Sequence, residues 1–184
     1  MHTALAFGAP EYTLTRTQWV SATIEEVFSF FENPHNLSKI TPSNLGFHIL
    51  AIHPDTVQEG TQILYRLKWH GIPYRWQTLI EEWVSEEKFV DVQQRGPYIQ
   101  WHHTHTFTPC EGGVLVEDCV RYRLPFGKLG TLVHKLVVHK ELNAIFDYRM
   151  NCIAEHFTNG TVYSNPPHGQ KYTANTLITS PNTR

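Results

Sequence analysis

Two histidines and one aspartate stand among apolar residues of the third quarter of the sequence. His103 and His105 share a predicted strand face with Trp101 and Phe107, because side chains of a β-strand alternate between its two faces. On the next predicted strand, the face that carries Asp118 is otherwise made of Val114, Val116, Val120 and Tyr122. Apolar faces point inward, so this pattern directs two imidazoles and a carboxylate into the protein interior.

The turn between these two strands decides which histidine lies opposite the aspartate. If Cys110–Gly113 is a four-residue hairpin loop, His105 lies opposite Asp118, whereas a loop two residues longer places His103 there. In either register, cross-strand neighbours lie about 5 Å apart at Cβ. A carboxylate beside an imidazole orients the ring and raises its pKa, which suits a general base or proton shuttle. It suits equally a buried polar pair or a group that orients a ligand.

Metal binding is the third interpretation of the same residues. A His-x-His on one strand face, with a carboxylate nearby, is a set of ligands for zinc or iron. The sequence has no Rieske-type cysteine pattern, HExxH, GxSxG, Walker loop or GxGxxG motif. We therefore favour a structural or ligand-orienting role over catalysis and metal binding, and predict no cofactor and no metal. If the protein is an enzyme, its predicted catalytic residues are His103, His105 and Asp118.

Aromatic residues on neighbouring predicted strands form a second group of candidates. Together with the polar group, they suit the wall of a cavity of roughly 300–1,000 Å³ for a small apolar ligand. Ordinary core packing explains each aromatic residue singly. Glu82 faces inward only if its strand has no bulge. The predicted ligand-binding residues are Tyr65, Trp69, Trp76, Glu82, Trp101, His103, His105, Phe107, Asp118 and Tyr122.

The remaining sequence predicts the elements that position these residues. A first strand over Tyr12–Val20 is followed by a helix capped by Ser21 or Thr23, and by a second short helix over His35–Ile40. Apolar residues at helical spacing predict a long helix from about Lys128 to Phe157. Six further strands, separated by short turns, are predicted at Phe47–His53, Thr61–Trp69, Tyr74–Val84, Phe89–Gln94, Tyr98–Thr108 and Val114–Arg123.

These elements predict one α+β domain over residues 1–158, and a polar, aperiodic, disordered tail over residues 159–184. Short connections imply a seven-stranded antiparallel sheet. The long amphipathic helix is the element able to cover one face of that sheet. A twisted sheet of this size curls, so it wraps around the helix and leaves a space between the two.

This order of elements resembles the helix-grip fold of the START and SRPBCC superfamily, which includes pollen-allergen-like proteins, polyketide cyclases and lipid-transfer domains. The opening VSATIEEVFSFFENPHNLSKITP is similar to the first helices of that superfamily. The stretches GPYIQWHHTHTF and YRLPFGKLGTL resemble a bacterial subgroup described as ligand-binding or cyclase/dehydrase-like. The resemblance implies binding of a small hydrophobic or aromatic ligand of polyketide, isoprenoid or lipid type. It leaves two alternatives, a cofactor-free cyclase, dehydratase or isomerase, and a lipid or quinone chaperone.

Composition narrows the range of partners. A formal net charge of -2 gives no electrostatic reason to expect nucleic acid or a membrane surface as partner. No apolar run approaches the roughly 20 residues that span a bilayer. The three cysteines show no CxxC spacing, and the N-terminus has no apolar signal segment, so we expect free thiols and a cytoplasmic location. The oligomeric state stays open.

Overall fold

Seven antiparallel strands form one sheet in a computed structural model that describes residues 9–158. The strands are β1 (Glu11–Val20), β2 (His48–His53), β3 (Gln62–Trp69), β4 (Ile72–Val84), β5 (Lys88–Arg95), β6 (Gln100–Cys110) and β7 (Gly113–Arg123). Their order in the sheet is β1-β7-β6-β5-β4-β3-β2. From β2 to β7, each strand pairs with the next strand in the sequence. Strand β1 does not pair with β2 and instead pairs with β7. The predicted seven-stranded antiparallel sheet is confirmed.

The short helices lie between β1 and β2 in the sequence, and the long C-terminal helix follows β7. Helix α1 (Ile24–Glu32) is followed by two 3-10 turns at Pro34–Ser38 and Ser43–Leu45, where one further short helix was predicted. The long C-terminal helix is confirmed, but it is not uniform. It consists of α2 (Gly127–Val133), a π-helical turn at His134–Val138 and α3 (His139–Thr158). Among the helices of the described residues, none is long and apolar enough to cross a membrane.

Local sequence signals fix the start of α1. Of the two predicted caps, Thr23 is the one used, and its hydroxyl accepts a hydrogen bond from the backbone N–H of Glu26 at 3.3 Å. The Glu26 carboxylate in turn accepts from the backbone N–H of Thr23 at 2.9 Å, which completes a capping box. The helix then buries Val27, Phe28 and Phe30 against the sheet.

The hairpin between β6 and β7 has the shorter of the two predicted registers. Cys110 pairs with Gly113, so the turn itself is only Glu111 and Gly112, and Gly112 adopts a left-handed φ of 75°. His105 consequently lies opposite Asp118, as the four-residue loop predicted. In this register, the inward-facing residues of β6 lie directly opposite the inward-facing residues of β7.

Polar contacts fasten α3 to the edge strand β1. The Arg16 side chain is 2% exposed and faces the helix, where its guanidinium donates to Asp147 Oδ1 at 2.9 Å and to Asn143 Oδ1 at 2.6 Å. Nearby, the side-chain amide of Gln18 donates to the carbonyl of Met150 at 2.8 Å. Because strand side chains alternate, the same face of β1 carries the buried Leu14 and positions the helix over one side of the sheet.

We predict that Asp147→Ala lowers the free energy of unfolding by about 1–3 kcal/mol, because it leaves the buried guanidinium of Arg16 without its carboxylate partner. Glu155→Ala, the same kind of substitution at an exposed position of α3, is the control and is expected within about 0.5 kcal/mol of wild type. Urea unfolding measures both values. Equal stability of the two variants would show that this ion pair does not hold the helix.

Candidate functional site

A cavity of about 1240 Å³ lies between the concave face of the sheet and the C-terminal helix. Side chains from β3 to β6 form its inner wall, and α3 covers it with Leu142, Ile145, Phe146 and Arg149. The volume exceeds the range of roughly 300–1,000 Å³ that is typical of small-molecule sites. The space is therefore large enough for a ligand of several rings or a branched chain.

Four titratable side chains from three adjacent strands meet on the sheet side of this space. They are Asp91 on β5, His103 and His105 on β6, and Asp118 on β7. The sheet register creates the cluster, because Asp91 lies opposite His103 and Asp118 lies opposite His105, all on the inward face. Asp91 and the two histidines line the cavity, whereas Asp118 lies behind the imidazole rings.

Each imidazole contacts both carboxylates. His103 Nδ1 lies 3.3 Å from Asp91 Oδ2, and its Nε2 lies 3.1 Å from Asp118 Oδ1. His105 Nε2 lies 3.1 Å from Asp91 Oδ2, and its Nδ1 lies 2.7 Å from Asp118 Oδ1. The four side chains thus form a closed ring of ionic contacts. Only the His103–Asp118 and His105–Asp91 contacts through Nε2 are also well aligned as hydrogen bonds.

Electrostatics within the cluster favour charged groups despite their burial. Burial lowers the pKa of His103, but the charge of Asp91 and hydrogen bonds to Asp118 and Asp91 outweigh it, so the pKa is raised overall. Burial acts to raise the pKa values of Asp91 and Asp118, yet the nearby histidines hold both below the usual range. The arrangement is able to orient a ligand, move a proton or hold a cation.

Asp91 is the member of the cluster that the sequence did not reveal. On β5, Val90 and Val92 lie on one face and Phe89 and Asp91 lie on the other. The two valines suggest that their own face points inward, but the cavity is on the side of Phe89 and Asp91. Phe89 is the residue of the sequence that points to the correct inward face. In the structure its ring stacks on His105 at a centroid distance of 4.2 Å. An aromatic residue two positions before a carboxylate places that carboxylate on the same face.

Most of the predicted aromatic residues line the cavity. Tyr65, Trp76 and Trp101 do so from β3, β4 and β6, and their polar atoms are largely satisfied within the wall. Thr78 Oγ1 accepts from Trp76 Nε1 at 3.1 Å and lies 3.0 Å from the hydroxyl of Tyr65. Burial raises the pKa of Tyr65, so this hydroxyl stays protonated. The aromatic wall therefore presents mainly ring faces and edges to the cavity.

Other predicted site residues lie at the rim or behind the wall. Trp69 is 43% exposed at the cavity mouth, where its Nε1 donates to Glu141 Oε2 on α3 at 2.7 Å. Phe107 is buried in the core between β6 and α1 and does not line the cavity. Tyr122 is also buried outside the lining, and its hydroxyl lies 2.8 Å from His134 Nε2.

The inward orientation considered for Glu82 is wrong. A bulge in β4 between Ile80 and Glu82 shifts the register, so Trp83 takes the next cavity-facing position. Glu82 instead faces solvent with a 45% exposed side chain, and forms an ion pair with Lys88 at 2.7 Å. The energetic cost of burying an unpaired carboxylate is avoided by this bulge.

Arg149 is a second cavity-lining residue that the sequence analysis did not select. Its guanidinium lies 5.0 Å from the ring centroid of Phe146 and borders the cavity. Its buried Nε finds no hydrogen-bond partner within residues 9–158. The helix side of the wall therefore carries a buried hydrogen-bond donor that none of the described residues satisfies.

The π-helical turn places His134 against the edge of the sheet. The imidazole stacks on Tyr12 at a centroid distance of 3.5 Å. Burial, together with the electrostatic influence of the neighbouring His139 and Lys135, lowers the pKa of His134 to about 4. A neutral ring is thus held between two tyrosines, where it helps to fix the start of the long helix.

We expect a pH dependence of stability from this residue. As the pH falls from 6.5 towards about 4, an unfolded chain takes up a proton at His134 that the folded protein does not, so the free energy of unfolding decreases. His134→Gln keeps an acceptor for Tyr122 and removes this titration. Urea unfolding across that pH range tests the difference. Parallel pH profiles for wild type and variant would contradict a neutral, buried His134.

Comparison with known proteins identifies the architecture. No protein-family model and no curated protein matches the chain. Among solved structures, a START superfamily protein from Mycobacterium smegmatis is 14% identical, with 82% of this chain and 99% of that one covered and a TM-score of 0.62. The di-domain aromatase/cyclase StfQ of the steffimycin biosynthetic pathway is 11% identical with a TM-score of 0.65 over 82% of this chain and 51% of that one.

A plant enzyme has the same arrangement. A point mutant of norcoclaurine synthase from Thalictrum is 14% identical, with a TM-score of 0.58 over 80% of this chain and 97% of that one. Similarity at these levels of identity concerns the fold, since unrelated activities share such architectures. The curved seven-stranded sheet around one long helix is therefore the helix-grip fold of START superfamily proteins.

Proposed function

We propose that the protein binds a small hydrophobic or aromatic molecule, of polyketide, isoprenoid or lipid type, in the cavity between the sheet and α3. The observation that supports this most strongly is the cavity itself, about 1240 Å³ within a chain of only 184 residues. Protein interiors are normally packed as densely as organic crystals, with few voids larger than a water molecule. A space this large, surrounded by apolar side chains, is consistent with the binding of a ligand inside it.

The wall favours a ligand with flat or branched apolar parts. Trp76 lies between other rings, with Trp101 edge-on at 5.2 Å and Tyr65 stacked at 6.1 Å between centroids. Ile63 and Ile80 continue this surface along β3 and β4. Burial of apolar area contributes roughly 25 cal/mol per Å² before the costs of immobilisation, so such a surface supports affinity without many polar contacts.

Polar groups at defined points favour a ligand with an oxygen at one end. The imidazoles of His103 and His105 face the space from the sheet, and the guanidinium of Arg149 borders it from the helix. The imidazole nitrogens already contact Asp91 and Asp118, whereas the Arg149 Nε has no hydrogen-bond partner among residues 9–158 and is a donor for a ligand. A carbonyl, carboxylate or phenolic oxygen between them would satisfy the free Nε of Arg149. These groups would set the orientation of the ligand, while the aromatic wall supplies most of the binding free energy.

The cavity opens between the β3–β4 turn and the start of the long helix. Exposed apolar residues line this opening, with Ile72 66% exposed, Phe126 63% and Leu129 60%. One side of it is closed by Glu141, whose second carboxylate oxygen lies 2.8 Å from His70 Nε2. An apolar molecule would thus meet an apolar entrance before it reaches the polar cluster.

The enzymatic alternative rests on the histidine–aspartate cluster at the cavity wall. In a cofactor-free cyclase, dehydratase or isomerase, His103 or His105 would act as the base and Asp118 would orient it. Substitution of either histidine would then abolish turnover, whereas in a binding protein it only weakens affinity. Exchange of lipid between vesicles would instead favour the lipid or quinone chaperone.

To test the binding proposal, we compare two tryptophan substitutions at adjacent positions of β4. Ile80→Trp adds a large ring inside the cavity, and Leu79→Trp adds the same ring on the opposite face of the strand. We expect Ile80→Trp to weaken binding of the fluorescent probe anilinonaphthalene sulfonate by about tenfold or more, equivalent to about 1.4 kcal/mol. Fluorescence titration measures the affinity.

Leu79→Trp is the matched control and should bind the probe like wild type. Circular dichroism of both variants checks that they are folded, since overpacking of an interior costs typically 1–3 kcal/mol. Equal probe affinity in wild type and a folded Ile80→Trp would place the probe outside the cavity and would contradict the proposal.

A further inference from the structure

Three side chains at the cavity wall have the separations of metal ligands. Asp91 Oδ2 lies 3.3 Å from His103 Nδ1 and 3.1 Å from His105 Nε2, and each of the three residues offers one potential ligand atom within 4.8 Å of the others. Bonds of about 2.0–2.2 Å to zinc place neighbouring ligand atoms about 3.0–3.5 Å apart. Two imidazoles and one carboxylate are also a common ligand set for catalytic zinc and for non-haem iron.

Asp118 occupies the position expected of a supporting carboxylate. Its Oδ1 lies 3.1 Å from His103 Nε2 and 2.7 Å from His105 Nδ1, which are the ring nitrogens that do not face Asp91. Histidines that bind a metal through one nitrogen usually donate the other N–H to a carboxylate or carbonyl, which fixes tautomer and ring orientation. The contact of Asp118 with His103 is aligned as such a hydrogen bond, whereas its contact with His105 Nδ1 is close but not aligned.

Charge balance makes a cation suitable at this point. Asp91 and Asp118 place two carboxylates in the cluster, with side chains only 17% and 7% exposed. Buried charges of this kind require compensation. A single divalent cation between Asp91 and the histidines provides this charge compensation.

We propose that Asp91, His103 and His105 bind a divalent transition-metal ion such as zinc or iron(II), with Asp118 as the supporting carboxylate. Since the three ligands line the cavity and Asp118 lies behind them, the open coordination positions face the interior space. An oxygen of the cavity ligand is the group suited to take such a position. This last point rests on the proposed function, whereas metal binding by the cluster does not.

The test uses the full chain without an affinity tag, stripped of metal with a chelator and then titrated with Zn²⁺. We expect one tightly bound zinc per chain after gel filtration, measured by elemental analysis. His103→Gln and Asp91→Asn are expected to lose this equivalent. Asp118→Asn keeps all three ligands and is expected to weaken zinc affinity about 10–100-fold.

The matched control is His70→Gln, which removes another imidazole–carboxylate pair of the same protein, exposed at the cavity mouth. It is expected to retain the bound zinc. Because substitutions of buried residues can prevent folding, a second measurement uses the wild-type protein alone. It records the visible absorption spectrum of added Co²⁺. Strong visible absorption is expected from Co²⁺ with four or five ligands, and only weak absorption from the octahedral hexa-aqua ion.

Failure of this inference is distinguishable from failure of the proposed function. Wild-type protein that retains no zinc, or zinc retained equally by folded His103→Gln, would overturn the metal site. Binding of anilinonaphthalene sulfonate in the presence of chelator reports on the apolar cavity alone, and would persist if only the metal site is wrong.

Discussion

The architecture depends on one constraint, that one long helix and the short helix α1 are all that covers the inward face of seven strands within residues 9–158. Helix α3 reaches the sheet mainly at β1, through the buried Arg16 and its partners Asn143 and Asp147. Two separate core clusters surround this contact, one near α1 and one near Leu142 and Phe146. Between helix and strands the side chains do not fill the volume. The cavity therefore follows from the ratio of strands to helices, and not from any single residue.

The same constraint explains why polar groups are tolerated inside. Residues on the central strands that face the cavity are buried without being tightly packed, so charge has to be balanced within the wall itself. The ring of contacts among Asp91, His103, His105 and Asp118 provides this balance on the sheet side. An apolar wall with one compact polar cluster is suited to a ligand that is itself mostly apolar with a few oxygens.

Much of this could be predicted from sequence, because strand alternation and turn chemistry are local. The inward face of β6 followed from spacing, and the pairing of His105 with Asp118 is one of the two registers that the sequence left open. Three features depended on non-local contacts. Asp91 joins the cluster through the pairing of β5 with β6, Glu82 turns outward at a bulge, and Arg149 borders the cavity from α3 beside Phe146. Residues 159–184, predicted to be a disordered tail, lie outside the described residues.

The central claim is that an apolar molecule occupies the space between sheet and helix. Nuclear Overhauser effects between bound anilinonaphthalene sulfonate and isotope-labelled isoleucine methyl groups test it most directly. Ile63, Ile80 and Ile145 line the cavity from strands and helix, whereas Ile99 lies outside it. We predict contacts to the first three methyl groups and none to Ile99. Contacts to Ile99 without any to Ile63 or Ile80 would place the probe on the surface and contradict the account.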